Sequence, residues 1–286
     1  MKAVTSLQHT PPAKEKKSRV RPPIWKVSDQ AWQMIQAILD IHYPLKRKGQ
    51  TRTALRSVLD GIIFRLRSGC QWNQIPAEFG DDSTIHRHFQ KMCEIGIFER
   101  LWASLIQHCD ELGQVDWEWQ SVDCAMGKAR SGGELIGPNP TDRAKKGVKR
   151  SVQVEADGGP ISVVVAGANV HDCKLLADTL EVIVVDRPKT RQHLCLDKGY
   201  DNPTGHKAVA ATTYIPHIRR IGEEKLDTAG QKTNPARRWV VERTLAWLSK
   251  CRGLLVRYDK KALNFLGLMQ LACALIWVRR WERSLA

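Results

Sequence analysis

Through the first third of the chain, apolar residues recur every three or four positions. That is the spacing of helices with one buried face. Trp32, Ile35, Ile38 and Leu39 predict a helix capped at Ser28-Asp29 and stopped before Pro44. A basic loop, Lys46-Arg47-Lys48-Gly49, leads to Thr53, which is expected to open a second helix. Its stripe is Leu55, Val58, Leu59, Ile62 and Leu66, with Arg52, Arg56, Arg65 and Arg67 mostly off it. A short helix is expected over 72–79 and a turn at Gly80-Asp81. Asp82-Ser83 would then cap a helix that runs from Thr84 to near Gly96. Phe98, Leu101, Trp102, Leu105, Ile106, Cys109 and Leu112 mark one more amphipathic helix, bracketed by Gly96 and Gly113.

Beyond Gly113 the period shortens. Residues 117–124 alternate as a strand does, and Asp123 closes the run. Residues 127–149 have no period and are rich in Gly, Pro and Lys, too long for a passive connector. Strands at 151–155 and 161–165 flank Asp157-Gly158-Gly159-Pro160, a hairpin signal. Asn169 or Asp172 is expected to cap a helix carrying Leu175, Leu176, Leu180 and Ile183. A buried strand at 193–196 delivers Asp197. After it come a helix near 203–211, a strand at 213–218 and a helix opened by Asn234-Pro235. The last helix, from Leu263 to about Arg283, is apolar enough to pack on a sheet. Strands alternating with helices in this way predict an α/β mixed sheet with flanking helices. The chain thus divides into a polar basic tail over 1–24, an all-helical domain over 25–115 and the mixed-sheet domain over 116–286.

A formal net charge of +15 makes nucleic acid the expected partner, because neutralised phosphates release counterions. An anionic membrane surface or an acidic protein would also answer to charge alone. The 8 cysteines include no CxxC pair, which argues against a zinc site or a disulfide framework and for a reducing compartment. Residues 2–21 have no apolar core, so no secretory signal is read there. The run 265–278 is broken by Gln270 and falls short of the roughly 20 residues a membrane span needs. A cytoplasmic protein that acts at the nucleoid, with no membrane partner, is expected.

Helix, glycine turn, then a helix that begins with small polar and basic residues is a helix-turn-helix pattern. Ser83, Thr84, His86, Arg87 and Gln90 are the groove-facing candidates for duplex DNA; an ordinary helical hairpin would show the same pattern. Lys146 and Lys149, at the end of the aperiodic stretch, are further candidate DNA contacts. The helix 235–250 holds one acid, Glu242, among Arg237, Arg238, Trp239, Arg243, Trp247 and Lys250, with Arg252 just beyond. Asp123, Asp197 and Glu242 together could hold two hard divalent cations on a phosphodiester. Arg238, one turn before Glu242, would then clamp a phosphate. Lys250, Arg252 and Arg257 could hold more backbone, while Trp239 and Trp247 read as core.

Arg238-Trp-Val-Val-Glu242-Arg-Thr with Trp247-Leu, Cys251-Arg252 and 255–260 resembles the C-terminal signature of IS5-group insertion-sequence transposases, within the IS4-like DDE class. Asp197-Lys-Gly-Tyr-Asp201 is similar to their second aspartate motif. Residues 137–143 and 168–172 resemble the family's segment after the first aspartate, and Gly69-Cys-Gln-Trp72, Ile75-Pro76 and Phe79-Gly80 resemble its N-terminal module. The resemblance spans roughly residues 25–280. It implies a ribonuclease-H-like catalytic core with Asp123, Asp197 and Glu242 as the catalytic and metal-binding triad. Two Mg2+ ions, or Mn2+ in their place, would serve it. It also implies a dimer on paired terminal inverted repeats, with strand joining to target DNA. Where the family places a tyrosine and a lysine around the glutamate, this chain has Pro235 and Ser249; Lys250 comes one residue later. A metal-dependent nuclease without joining, and a non-catalytic DNA-binding regulator, are the rival readings.

Overall fold

The computed structural model describes residues 26–44, 54–218 and 237–285. The basic tail, the 46–49 loop, Thr53 and Asn234-Pro235 lie outside the described residues.

Helix α1 (Asp29–His42) starts where Ser28 Oγ accepts the amide of Ala31 at 3.1 Å, and it buries Ala31, Ile35 and Leu39. Helix α2 (Leu55–Ser68) ends at Gly69, whose φ of 70° closes the last turn in the left-handed region. The single helix expected over 72–79 is instead two 3₁₀ turns, Trp72–Gln74 and Ala77–Phe79. Pro76 breaks it, since proline supplies no amide and holds Ile75 extended. Helix α3 (Asp82–Glu94) is capped by Asp81, which accepts the Thr84 amide at 2.7 Å, one residue earlier than expected. Helix α4 (Ile97–Glu111) comes after Gly96, another left-handed glycine.

The sheet begins with β1 (Trp119–Ala129), β2 (Gly137–Pro138), β3 (Lys146–Glu155) and β4 (Pro160–Gly167). Helix α5 (Asp172–Glu181), β5 (Gln192–Leu196), α6 (Pro203–Ala210) and β6 (Tyr214–Ile218) complete it. The chain ends in α7 (Trp239–Ser249), α8 (Arg252–Leu255), β7 (Val256–Arg257) and α9 (Ala262–Ser284). Across the sheet the order is β4, β3, β1, β5, β6, with β2 on β3 and β7 beside the end of β1. β1 pairs antiparallel with β3, and β3 with β4; β1, β5 and β6 run parallel. A three-strand meander whose first strand is central, extended by two parallel strands through helical crossovers, is the ribonuclease-H-like arrangement. His171, rather than Asn169 or Asp172, caps α5, and Ile183 falls beyond its end.

A buried polar chain crosses four strands. Gln153 Nε2 donates to Gln120 Oε1 at 2.6 Å, Gln120 Nε2 donates to Gln192 Oε1 at 2.7 Å, and Tyr214 OH joins Gln120 and Gln153. Such a network is satisfied in one register only, so it fixes β3, β1, β5 and β6 against slippage.

The larger core joins α1–α4 to β3, β4, α7 and α9; a smaller one lies under β1, α5, β5 and α6. Helix α9 packs chiefly on α4 and also on β4, rather than on the sheet alone. It is long and apolar enough to cross a membrane, but 72% of its apolar window is buried inside the protein. The carbonyl of Pro160, at the start of β4, accepts the indole N–H of Trp102 on α4 at 2.9 Å and that of Trp277 on α9 at 2.8 Å. A buried ion pair, Arg65 to Asp259 at 3.0 Å, ties α2 to the turn after β7. All eight cysteines are free.

Candidate active site

Side chains alternate across a strand, so Trp119, Ser121 and Asp123 share one face of β1, and His193, Cys195 and Asp197 one face of β5. Ser121 is in register with Cys195 on the parallel neighbour. Asp197 continues from β5 in extended conformation, φ −79° and ψ 170°. The same register carried two residues further sets Asp123 opposite Asp197, roughly one strand spacing of about 5 Å apart. Asp123 lies in the middle of β1, not at its end as expected. The strand continues because Met126 to Lys128 pair with the start of β3, and Lys128 and Ala129 pair with β7.

Helix α7 packs on β1 and β3. Ser121 Oγ donates to the Arg237 carbonyl at 3.4 Å, which holds the start of the helix over the aspartate face. Glu242 sits in the first turn of α7, and Arg238 Nη2 donates to its Oε1 at 3.0 Å. Asp123 is pushed up to about 6, first by burial and then by the nearby charges of Asp197 and Glu242. The Cys124 amide, at 2.7 Å, and the Arg238 charge hold it partly down. Arg238 in turn is raised, first by its bond to Glu242 and further by Asp197 and Asp123. Three carboxylates thus sit within electrostatic reach of one guanidinium.

Among the described residues, no three His, Cys, Asp or Glu side chains enclose a metal ion as they stand. Glu242 is turned to Arg238 instead. The donor set nevertheless suits a hard cation. It consists of carboxylate oxygens on rigid elements, and burial, with the charges of Asp197 and Glu242 added, already raises the Asp123 carboxyl.

Other predicted residues fall in two groups. Lys146, Lys250, Arg252, Ser83 and Arg87 are exposed. Thr84 is part-buried, its amide held by Asp81 and its hydroxyl by Arg87. Lys149 is a correction: it lies on β3, 7% exposed, with its ammonium on Asp172 and on the Val170 carbonyl at 2.6 Å, so it is not offered to DNA. His86 is also turned inward, stacked on Trp72 at 4.4 Å between ring centres, and burial pushes its imidazole down. Arg257, 1% exposed, is spent on the carbonyls of Asp259, Leu135 and Lys260. The tryptophans of α7 are not core. Trp239 is 55% exposed, and Arg243 lies between its ring and that of Trp247 at 4.7 and 4.8 Å.

Sequence reasoning missed an aromatic cluster on the aspartate face. Trp119 stacks on His193 at 4.4 Å, His193 Nδ1 meets His217 Nε2 at 2.7 Å, and Arg237 lies over Trp119 at 4.9 Å. The available signal was parity. Trp119 and His193 each stand four residues before an aspartate, hence on the same face.

A family model described as "Transposase DDE domain" matches residues 103–277, and one described as "Putative transposase of IS4/5 family" matches residues 27–102. A relative from Burkholderia cepacia, "Putative transposase for insertion sequence element IS402", is 34% identical over 165 residues, covering 54% of this chain and 76% of that protein. An "Insertion element IS402 uncharacterized 16.2 kDa protein" from the same organism is 29% identical over 118 residues, 40% of this chain and 80% of that one. Among solved structures, the catalytic domain of Mos1 mariner transposase overlaps 65% of this chain and 88% of its own, at 10% identity and a TM-score of 0.28. The match of the DDE model to more than half of the chain, together with the insertion-sequence relative, is decisive: the chain belongs to the DDE transposases of insertion sequences, enzymes of DNA transposition.

Proposed function

We propose that Asp123, Asp197 and Glu242 are the catalytic carboxylates, and that they hold two divalent cations, Mg2+ or Mn2+ in its place, against a DNA phosphodiester. The observation that carries this is the parallel pairing of β1 with β5. It faces Asp123 with Asp197 under the first turn of α7, where each carboxylate acts on Asp123. Bound cations supply stabilisation of the attacking and leaving oxygens. The chain's own residues set the geometry. β1 and β5 hold the two aspartates on a rigid sheet. Arg238 exchanges its bond to Glu242 for a phosphate oxygen and so releases the glutamate toward the aspartates. Water attacks the scissile phosphodiester first. The 3′ hydroxyl so freed then attacks target DNA, and one phosphodiester is exchanged for another.

The helical part, 25–115, takes the terminal inverted repeats of double-stranded DNA, and 116–286 is the catalytic part. Ser83 and Arg87 on α3, with Lys146, Lys250 and Arg252 on the catalytic side, are the DNA contacts supported by their exposure, and the half-buried Arg238 is the phosphate clamp beside Glu242. Two copies on paired ends, in the bacterial cytoplasm at the nucleoid, complete the reading.

The test is a cleavage and joining assay on end-containing duplex with Asp123→Asn, Asp197→Asn and Glu242→Gln. Full activity in any variant removes that residue from the site. Cut ends without joined product would make the protein a nuclease.

A further inference from the structure

Where the start of α1, the end of α2 and the last third of α9 meet, there is an open cleft of about 360 Å³. Lys26, Ser28, Arg67, Arg279 and Glu282 line it, and no residue of β1, β5 or α7 does. Two arginines side by side are its unusual feature. Among the described residues neither has a carboxylate within salt-bridge distance, and the Nε of Arg67 is buried without a hydrogen-bond partner. Arg279, exposed to solvent at the cleft, is held below its ordinary value by partial burial of its head and then by the Arg67 charge. A third guanidinium, Arg150 on β3, 2% exposed, does not line the cleft but shares with them the neighbourhood of Cys251. Its one described hydrogen bond is a long one, 3.5 Å to the Leu254 carbonyl, and burial pushes it down to about 10. All three act on the buried thiol of Cys251, which stays protonated because its own burial outweighs them.

An uncompensated cluster of guanidinium groups is disfavoured in a folded protein unless something anionic completes it. Elsewhere the chain does provide acids for its arginines, as at Arg65–Asp259 and Arg280–Glu155. Here the acid that acts on Arg279 is Glu282, and its effect is smaller than that of Arg67. The fork of a guanidinium matches two oxygens of one phosphate, and the α1 N-terminus adds its positive end to the same cleft.

We propose that Arg67 and Arg279 form a clamp for a backbone phosphate of duplex DNA, an anchoring point on the helical side that shares no element with the carboxylate site. The occupant is a DNA phosphodiester because the cleft is open, is walled by α1 and α2 of the part assigned to duplex binding together with α9, and sits on a chain of net charge +15. The inference rests on that assignment of the helices. Free inorganic phosphate shares the chemistry and is the other source to separate.

The experiment measures binding of wild type, Arg67→Gln, Arg279→Gln and the double variant to end-containing duplex across a salt series, with thermal melts of each free protein. A lost phosphate contact lowers the slope of log K against log salt by about 0.9. Each single variant should show about that loss, and the double variant about twice it, with affinity down roughly tenfold or more near 0.15 M salt. Free-protein Tm should hold or rise, since repulsion is relieved, and Arg67→Lys should restore most of the slope. A double variant with wild-type slope and affinity overturns the clamp. So does a slope change that only tracks a fall in Tm. Inorganic phosphate that raises Tm through these arginines, with duplex binding unaltered by their removal, would make the cleft a small-anion site and overturn the DNA assignment. If wild type itself does not hold duplex, the duplex-binding role of the helices fails before the clamp is tested.

Discussion

Two carboxylates near β1 meet opposite treatment. Glu155, whose backbone lies opposite Gln120 of β1, is 0% exposed and fully supplied. It takes the guanidinium of Arg280 at 2.8 Å and the amides of Asp116, Asp157 and Gly159. Asp123, three residues along β1 from Gln120, has one backbone amide, two acids for neighbours and an arginine, Arg238, that is bonded to Glu242 instead. The first carboxylate is a structural joint that closes the β3–β4 turn onto α9. The second is left short of positive charge by the same sheet. The fold balances charge where it needs rigidity and leaves it unbalanced where a ligand of opposite sign must come.

The comparison can be broken first at its catalytic end. Asp123→Asn is expected to lower DNA cleavage by on the order of 10³-fold, with the folded state intact by circular dichroism. Cleavage near the wild-type rate would remove the contrast. At the other end, Glu155→Ala should leave Arg280 and three amides short of their acceptor. The expected loss is about 3–5 kcal/mol in urea unfolding, with cleavage per folded molecule unchanged. An unaffected midpoint would mean the joint is not structural.

The sign of the Asp123 contribution sharpens the contrast. Its carboxyl is raised from 3.8 to about 6, so the folded state binds that proton more tightly than the unfolded one. Its share of stability is therefore full below about 4 and declines as pH rises through about 6. Asp123→Asn should raise Tm at pH 7.5 and leave it little changed at pH 4. Magnesium should raise the wild-type Tm at pH 7.5 and that of Asp123→Asn by less. Equal Tm curves for the two proteins across this range would count against an uncompensated carboxylate. The smallest expected effect is that of Arg238→Ala on folding. The exposed pair with Glu242 contributes no more than about 0.5 kcal/mol, whereas cleavage should fall well beyond that. A large loss of stability would make Arg238 structural.

Much of this was written in local pattern. The helical stripes placed α1–α4, and the apolar lead-in placed Asp197 at the end of β5. The lone acid among cations singled out Glu242. What escaped the sequence depends on partners distant along the chain. β1 runs on past Asp123 only because β3 and β7 receive it, and no residue between 124 and 129 announces that. Lys149 looked like a loop cation until β3 began at Lys146 and turned its side chain onto Asp172. Trp239 and Trp247 obeyed the usual preference for burial in sequence alone, yet Trp239 is exposed and Trp247 only half-buried, with Arg243, anchored to the Asp157 carbonyl at 2.6 Å, between their rings. Parity could have set Trp119 and His193 on the aspartate face, but nothing in the spacing foretold that His217 joins them, since β5 and β6 meet only in the folded sheet.

The Pro160 carbonyl, shared by Trp102 and Trp277, bears on how force would travel through the enzyme. It rivets the last helix of the helical part, the final helix of the chain and an edge strand of the sheet to a single peptide unit. A hinge cannot operate at a rivet. A duplex gripped by the helices would therefore be carried as if by the catalytic sheet itself. The bending needed to bring a scissile bond over Asp123 would fall on the DNA rather than on a swivel between the two parts.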